Sequence, residues 1–204
     1  MPSGACRGEN DGLFRQEGRG LIESIASRMM TTSRRCVDWS QIEYHSAGEV
    51  MDKDHVKIRV LAVASGGGHW EQLMLLRPAL DGFDVIFATT NPGLATRDGV
   101  SGVVELPDSN KSQPIKALRS LRSAWSIVRR TRPDFVITTG ALPGLLCLVA
   151  GRLTGARTIW IDSVANAGTL SLSGRYARWF ATLRMTQWEH LARPPDLVFE
   201  GKLL

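Results

Sequence analysis

Short apolar runs alternate with longer amphipathic stretches along most of the chain, from residue 57 to residue 199. The short runs are rich in Val, Ile and Thr, which favours strands. The longer stretches repeat apolar residues every three or four positions, which favours helices. Strands are predicted at residues 57–64, 84–89, 103–106, 134–139, 158–162, 184–188 and 197–199, and helices at residues 70–80, 114–130, 144–153 and 172–181. This alternation predicts a Rossmann-like α/β fold: a parallel sheet with helices on both faces and right-handed crossovers.

The first 52 residues lack this pattern. They show no sustained strand or helix period and are rich in Gly, Ser, Arg and Glu, with one short candidate helix at residues 21–30. We expect a poorly ordered polar extension over residues 1–52 and a folded domain over residues 53–204. Because Met51 directly precedes the first strong strand, a start of translation at Met51 is an open alternative.

The composition favours a cytoplasmic domain with a buried core. The chain has 204 residues, of which 43% are hydrophobic. No apolar run reaches the roughly 18 residues needed to span a bilayer, and the basic-then-apolar layout of a signal peptide is missing. The three cysteines are scattered, so neither a disulfide framework nor a metal site is indicated, and Cys147 is expected in the core.

Three consecutive glycines, Gly66 to Gly68, follow the first predicted strand and precede His69. The turn matches neither the dinucleotide-binding fingerprint nor the P-loop. A strand–glycine–helix turn can bring backbone amides and a helix N-terminus close to an anionic ligand. The alternative is tight helix–sheet packing. His69 could orient a substrate or serve as a base at the carboxyl end of the strand.

A second turn, TTGALPG at residues 138–144, follows the fourth predicted strand and opens another helix. Two such turns would face one crevice, which suits a diphosphate. Asp162 and Ser163 end the fifth strand, with Asn166 in the loop beyond. Asp162 could bind sugar hydroxyls or act as a base. An ordinary helix-cap or loop hydrogen bond is the equal alternative.

Charge is distributed unevenly. Residues 1–52 carry a net charge of −2, and residues 53–204 carry +7, which favours an anionic partner: phospholipid, nucleic acid or a phosphorylated substrate. Residues 110–133 hold seven Lys or Arg and no acid. This segment is typical of an interfacial helix on anionic lipid, although a solvated crossover helix with its apolar stripe on the sheet also fits. The predicted membrane contacts are Lys116, Arg119, Arg122, Trp125, Arg129 and Arg130. Nucleic acid is disfavoured because no binding motif is present.

Five motifs occur in an order that resembles a known family: SGGGHWEQL, TTGALPG, IDSVANAGTLSLSGR, MTQWEHL and the terminal FEGKLL. In these residues the chain resembles the PssD-type subunits of bacterial exopolysaccharide synthesis. These subunits are similar to the eukaryotic membrane-anchoring subunit of the dolichol-linked N-acetylglucosamine transferase. The first two motifs also resemble, more distantly, the acceptor-binding half of MurG.

The resemblance implies the N-terminal half of a GT-B glycosyltransferase, encoded as a separate chain. A PssE-type partner would hold the UDP-sugar, and this chain, with no cofactor of its own, would bind a polyprenyl-diphosphate-linked saccharide. It would lie peripherally on the cytoplasmic face of the inner membrane. Carried over to this sequence, the catalytic candidates are His69 and Asp162, and Leu203 and Leu204 would lie in the partner interface. The acceptor-binding candidates are Ser65, Gly66, Gly67, Gly68, Gly140, Ala141, Leu142, Pro143, Gly144, Ser163 and Asn166.

Two other functions also fit the sequence. The chain could be a non-catalytic scaffold that recruits and activates a complete glycosyltransferase at the membrane. It could also be a small nucleotide-binding α/β enzyme that acts alone.

Overall fold

A computed structural model of the protein describes residues 10–32, 57–107 and 114–203. The strands in this part of the chain are β1 (Arg59–Ala64), β2 (Asp84–Thr89), β3 (Val104–Glu105), β4 (Phe135–Thr138), β5 (Arg157–Ile161), β6 (Leu183–Thr186) and β7 (Val198–Phe199). The helices are α1 (Asn10–Thr32), α2 (Gly68–Leu75), α3 (Pro92–Arg97), α4 (Pro114–Thr131), α5 (Ala141–Leu153) and α6 (Leu172–Ala177), with 3₁₀ turns at Arg77–Leu80 and Glu189–Leu191.

The strands form one parallel sheet in the order β3-β2-β1-β4-β5-β6-β7. The chain first builds outward from β1 to β3, and then crosses over to β4 and builds in the other direction. The order therefore reverses between β1 and β4, which is the topological switch point where open α/β sheets bind ligands. This arrangement confirms the predicted Rossmann-like sheet.

Helices cover both faces of the sheet because buried side chains alternate along the central strands. In β1, Val60 and Ala62 pack in the cluster that holds Trp70 and Leu73 of α2. Leu61 and Val63, which alternate with them, pack on the opposite face of the sheet with residues of α4 and α5. Helix α6 follows α5 in the same layer, where buried side chains of both helices surround Trp160.

The N-terminal helix is longer than the sequence predicts. It runs over Asn10–Thr32 instead of residues 21–30, and Leu21, Ile25 and Met29 are fully buried in the core. The expectation of a poorly ordered segment is therefore wrong for this part, because an apolar residue every fourth position gives the helix a face to bury. The boundary between residues 52 and 53 lies outside the described residues and stays a prediction.

Two further elements differ from the prediction. Helix α3, which is absent from the predicted helices, begins after Asn91, because the Asn91 side chain accepts a hydrogen bond from the Gly93 amide and Pro92 occupies the first turn. In α4 the buried face is formed by the small Ala124 and the branched Ile127 and Val128.

Packing α4 through this face turns Leu121 and Trp125 away from the sheet, and each side chain is 39% exposed. The alternative in which the apolar stripe of α4 packs on the sheet is therefore wrong for these two residues. Both side chains lie on the outer surface of the helix.

Candidate functional site

The glycine turn lies at the carboxyl end of β1, where it leads into α2. Gly67 caps the helix with φ of 66° and ψ of −140°, a conformation that favours glycine. Its carbonyl accepts hydrogen bonds from the Trp70 and Glu71 amides. The amides of Gly68 and His69, in the first turn, have no partner within the helix. Gly67 and Gly68 are exposed, so this N-terminus opens onto the crevice.

The start of the same turn is tied to the neighbouring strand. Ser65 and Gly66 are half-buried, and the Gly66 amide donates to Thr90 Oγ1 at 3.0 Å, beyond the end of β2. Gly66 was predicted to line the acceptor site, but its amide is occupied within the chain. The exposed part of the turn is therefore Gly67 and Gly68.

The second turn lies next to it, at the carboxyl end of β4. Gly140 precedes α5 with φ of 131° and ψ of −167°, and its amide donates to Thr138 Oγ1 at 3.2 Å. Ala141 has φ of 65°. Ala141 and Leu142 are half-buried and begin the helix.

Two of the predicted acceptor-lining residues lie beneath this turn. Pro143 and Gly144 are buried, and a Cβ at Gly144 would overlap the Thr138 side chain. The glycine is needed because α5 crosses close to β4. Packing therefore accounts for Gly144, which was predicted to line a ligand.

His69 joins the two turns. Its Nδ1 lies 2.9 Å from the Thr139 carbonyl oxygen, and Thr139 Oγ1 donates to the His69 carbonyl at 2.7 Å. A carbonyl oxygen only accepts, so Nδ1 carries the proton, and Nε2 of the neutral ring is left with its lone pair. Within the described residues Nε2 has no hydrogen-bond partner. The half-buried ring is thus oriented as a proton acceptor at the crevice.

Gly140 makes room for this ring. A Cβ at Gly140 would lie 2.6 Å from Cε1 and 2.8 Å from Nδ1 of His69. No real Cβ approaches a ring atom so closely. Glycine at position 140 is therefore required both for this backbone conformation and for the position of the His69 ring.

Asp162 is buried and fully engaged. It is 2% exposed, and its Oδ1 accepts from Ser171 Oγ at 2.6 Å and from Trp160 Nε1 at 3.3 Å. Oδ2 accepts from the Ser171 amide at 3.1 Å. Ser171 in turn caps α6 through the Gly174 amide. These contacts match the hydrogen-bonding alternative for Asp162, since accepting a proton would break bonds that fix the loop.

A buried amide network lies behind the crevice, and sequence reasoning missed it. Gln72 of α2 donates to Ser163 Oγ at 2.9 Å and accepts from the Val164 amide at 3.1 Å. Gln187 donates to Gln72 Oε1 at 2.7 Å and to the Asp162 carbonyl at 3.0 Å. Both glutamines are almost fully buried. The network fixes α2 to the ends of β5 and β6.

Two other predicted residues, Ser163 and Leu203, are buried and do not lie at the surfaces predicted for them. Ser163 is 5% exposed, and its hydroxyl is held by Gln72, so it lies behind the crevice surface. Leu203 is 7% exposed and belongs to the core, while its amide donates to Gln187 Oε1 at 2.9 Å. Its side chain is therefore not available to the predicted partner interface, and Leu204 lies outside the described residues. Asn166 is half-buried in the loop after β5.

The basic helix presents its cations to solvent. Arg119, Arg122, Arg129 and Arg130 are all exposed, and the Arg129 guanidinium lies 6.0 Å from the centre of the Trp125 ring. The Lys116 side chain lies outside the described side chains. Among the helices that the structure describes, none is long and apolar enough to cross a membrane.

Two further observations concern metal and thiol chemistry. Across residues 10–32, 57–107 and 114–203 no three His, Cys, Asp or Glu side chains converge as metal ligands. Cys147 is fully buried, and this burial raises the pKa of its thiol to about 12. Its position in the core agrees with the prediction.

Comparison with known proteins defines the fold class. No protein-family model and no curated protein sequence matches the chain. Among solved structures it is similar to Acinetobacter baumannii MurG (TM-score 0.58, 15% identity), with 71% of this chain covering 46% of MurG. It is also similar to S. aureus MnaA bound to UDP (TM-score 0.56, 12% identity, 72% of this chain and 44% of that one). A third similar structure is a glycosyltransferase from Rickettsia africae (TM-score 0.51, 15% identity, 71% and 43%).

These neighbours define the chain as a Rossmann-like domain with the fold of one half of a GT-B protein. The chain spans about half the length of the structures it matches, which is consistent with the N-terminal half. The likeness to MurG is thereby confirmed at the level of the fold. The finer resemblance to PssD-type subunits rests on the sequence motifs and stays a prediction.

Proposed function

We propose that this chain is the acceptor-binding subunit of a two-chain glycosyltransferase. It would bind a polyprenyl-diphosphate-linked saccharide, and a PssE-type chain would bring the UDP-sugar. The observation that carries the proposal is the crevice at the switch point, where two helix N-termini and His69 meet in a domain that matches only half of a GT-B protein. The products would belong to exopolysaccharide or oligosaccharide synthesis.

The crevice has the chemistry that a diphosphate requires. Unpaired amides and the positive ends of helix dipoles stabilise anions at helix N-termini. Helices α2 and α5 supply two such ends beside each other, since their first turns are joined through His69 and Thr139. We place the acceptor diphosphate over Gly67, Gly68 and the Ala141–Leu142 backbone, with the sugar towards His69 Nε2.

His69 acts as the general base in this proposal. Nε2 accepts the proton of an acceptor hydroxyl, and the oxygen attacks the anomeric carbon of the UDP-sugar from the side opposite UDP. The new glycosidic bond forms as the bond to UDP breaks, and UDP leaves with the electron pair, so the configuration inverts. The imidazolium is stabilised by the Thr139 carbonyl, 2.9 Å from Nδ1.

Asp162 has a supporting role in this mechanism. Its carboxylate fixes the loop after β5 through Ser171, and its carbonyl joins the glutamine network behind α2. We therefore assign the base to His69 alone and treat Asp162 as a positioning residue.

We place the complex on the cytoplasmic face of the membrane through α4. Its exposed Arg122 and Arg129 flank Trp125, which is 39% exposed, and each basic residue near an anionic surface contributes about 1 kcal/mol. Flotation with anionic liposomes tests this contact. R129Q/R130Q should weaken it, and unchanged binding of that variant would remove α4 from the membrane contact.

Ligand titration of the isolated chain tests the assignment to the acceptor side. A short-chain polyprenyl-diphosphate N-acetylglucosamine should bind and shift the NMR signals of His69, while UDP should bind far more weakly. H69Q should retain acceptor binding, because the diphosphate is held by backbone amides. Tight UDP binding without a partner would contradict the proposal and favour a nucleotide-binding enzyme that acts alone.

A further inference from the structure

One face of the sheet carries a helical layer that is almost free of acids. Between residues 110 and 188 the sequence holds twelve Lys or Arg and only two acids, Asp134 and Asp162. Asp134 lies at the strand ends, where its Oδ2 accepts a hydrogen bond from the Arg59 amide, and Asp162 is buried. The layer formed by α4, α5 and α6 is therefore strongly basic.

The α6 side of this layer also exposes large apolar side chains. Trp179 is 68% exposed, Tyr176 56% and Leu172 43%. Leu153, at the end of the neighbouring α5, is 67% exposed. Tyr and Trp combine an apolar ring with a polar group, and this suits them to the boundary between water and lipid.

A basic groove lies beside Trp179, between α6 and residues 191–197. It has a volume of about 950 Å³, and its cationic lining residues are Arg175, Arg178, Arg184 and Arg193. Asp196 is the one acid among its lining residues in the described chain. The Arg178 guanidinium lies 4.6 Å from the centre of the Trp179 ring.

These arginines are not neutralised within the chain. Among the described residues none of the four makes an ion pair with a carboxylate. Arg184 donates instead to the carbonyls of Gly174 and Asp196, each at 3.2 Å. Burial lowers the pKa of Arg184 against the opposing charge of Asp196, and the charge of Arg178 lowers it further. An anion in the groove would oppose this lowering, because a negative charge close by favours the charged guanidinium.

We infer that the groove and the exposed aromatic residues of α6 form a second membrane contact, separate from α4, that binds the phosphate of an anionic phospholipid. The four arginines surround the headgroup, while Trp179 and Tyr176 lie at the level of the glycerol and upper acyl chains. Charge complementarity selects a lipid surface, because the groove is basic and its rim is apolar. The contact goes beyond the proposed function, since it requires neither the partner chain nor the sugar.

Vesicle flotation of the full chain tests the contact, with phosphatidylcholine vesicles compared against vesicles containing about a third phosphatidylglycerol. Each arginine removed should lower the partition roughly fivefold, so R175Q/R178Q should bind about 30-fold more weakly. W179A should also bind more weakly. The matched control is L75A/R77Q at the end of α2, where Leu75 is 39% exposed; this variant alters the other face of the sheet and should bind like the wild type.

Quenching of tryptophan fluorescence by brominated lipid gives a second readout. The wild type should be quenched, and W179F should lose a measurable part of that quenching. Wild-type binding by R175Q/R178Q, or unchanged quenching in W179F, would overturn the inference.

Four further outcomes distinguish the α6 contact from binding through α4, from a site for a free anion and from a dimer interface. Vesicle binding lost only in R129Q/R130Q would support α4 alone and overturn the α6 contact. Binding lost only in R175Q/R178Q would support the α6 contact and remove α4. If the groove is saturated by inorganic phosphate and the chain does not bind vesicles, the groove is a site for a soluble anion and the inference is overturned. If light scattering shows a wild-type dimer that is monomeric as W179A, the groove belongs to an interface with a second copy of the chain, and the inference is likewise overturned.

Discussion

Gly140→Ala tests how the backbone of the second turn positions His69. At φ of 131° and ψ of −167°, Gly140 occupies a region that is essentially restricted to glycine, so alanine costs about 1–3 kcal/mol in backbone strain. The new Cβ would lie 2.6 Å from His69 Cε1, which forces the ring to move. Losing the Nδ1–Thr139 hydrogen bond adds about 0.5–1.5 kcal/mol.

The sum predicts a loss of about 1.5–4.5 kcal/mol in the free energy of unfolding, measured by urea denaturation with tryptophan fluorescence. Gly67→Ala is the matched control. Gly67 has φ of 66°, but nothing lies within 4 Å of a Cβ placed there, so that variant has the strain without the contact to His69.

NMR of the His69 ring separates the two variants. In G67A the ring nitrogens should keep the wild-type tautomer, with the proton on Nδ1. In G140A the proton should redistribute between Nδ1 and Nε2, because the hydrogen bond that fixes it is lost. An unchanged His69 spectrum in G140A, with stability equal to that of G67A, would refute the argument that Gly140 holds the ring in place.

Three other predictions concern the surroundings of the crevice. Gln187→Leu removes the hydrogen bonds to Gln72 Oε1 and to the Asp162 carbonyl and leaves the buried Leu203 amide without its partner. Urea denaturation should show a loss of about 2–5 kcal/mol in the free energy of unfolding, and a loss under about 1 kcal/mol would contradict the network. Asp162→Asn turns an amide N–H₂ towards a donor of Ser171, and should cost about 1–3 kcal/mol in the same assay, whereas wild-type stability would show that the carboxylate is dispensable. Hydrogen bonds from the Arg97 guanidinium and, to a smaller extent, from the Trp70 indole lower the pKa of Asp98 from 3.8 to about 2. The contribution of the charged Asp98 to the free energy of unfolding is therefore complete above about pH 4 and is lost as the pH falls towards 2. D98N should therefore lose less stability than the wild type over that interval, and equal losses would contradict the assignment.

The arrangement of the sheet follows from local sequence patterns. Alternating strands and helices, with Gly66–Gly68 after the first strand, were sufficient to predict a parallel sheet and a crevice between the two turns. The short helices were harder to predict. In α3 the Asn-Pro pair resembles a turn, and only the capping bond from the Gly93 amide distinguishes it as a helix start. In α1 the buried face of Leu21, Ile25 and Met29 depends on the sheet against which it packs.

There is a physical reason why the interior of the site could not be predicted from the sequence. Glutamine is usually a surface residue, so Gln72 and Gln187 gave no signal, although both are buried and each satisfies the other. A glutamine among the buried positions of α2 would have been the available clue. The alternatives for Asp162 likewise depended on Ser171, nine residues along the chain, whose position relative to Asp162 no local pattern predicts.

Sugar transfer by the reconstituted pair tests the central proposal most directly. This chain and a PssE-type chain would be co-expressed, and transfer of labelled sugar from a panel of UDP-sugars to a polyprenyl-diphosphate-linked saccharide would be measured. The pair should transfer sugar, each chain alone should not, and H69A should lower kcat about 10²–10⁴-fold while acceptor binding persists. Transfer by this chain alone would contradict the two-chain enzyme, and a pair with H69A that turns over at the wild-type rate would show that this chain is a scaffold and not part of the catalytic site.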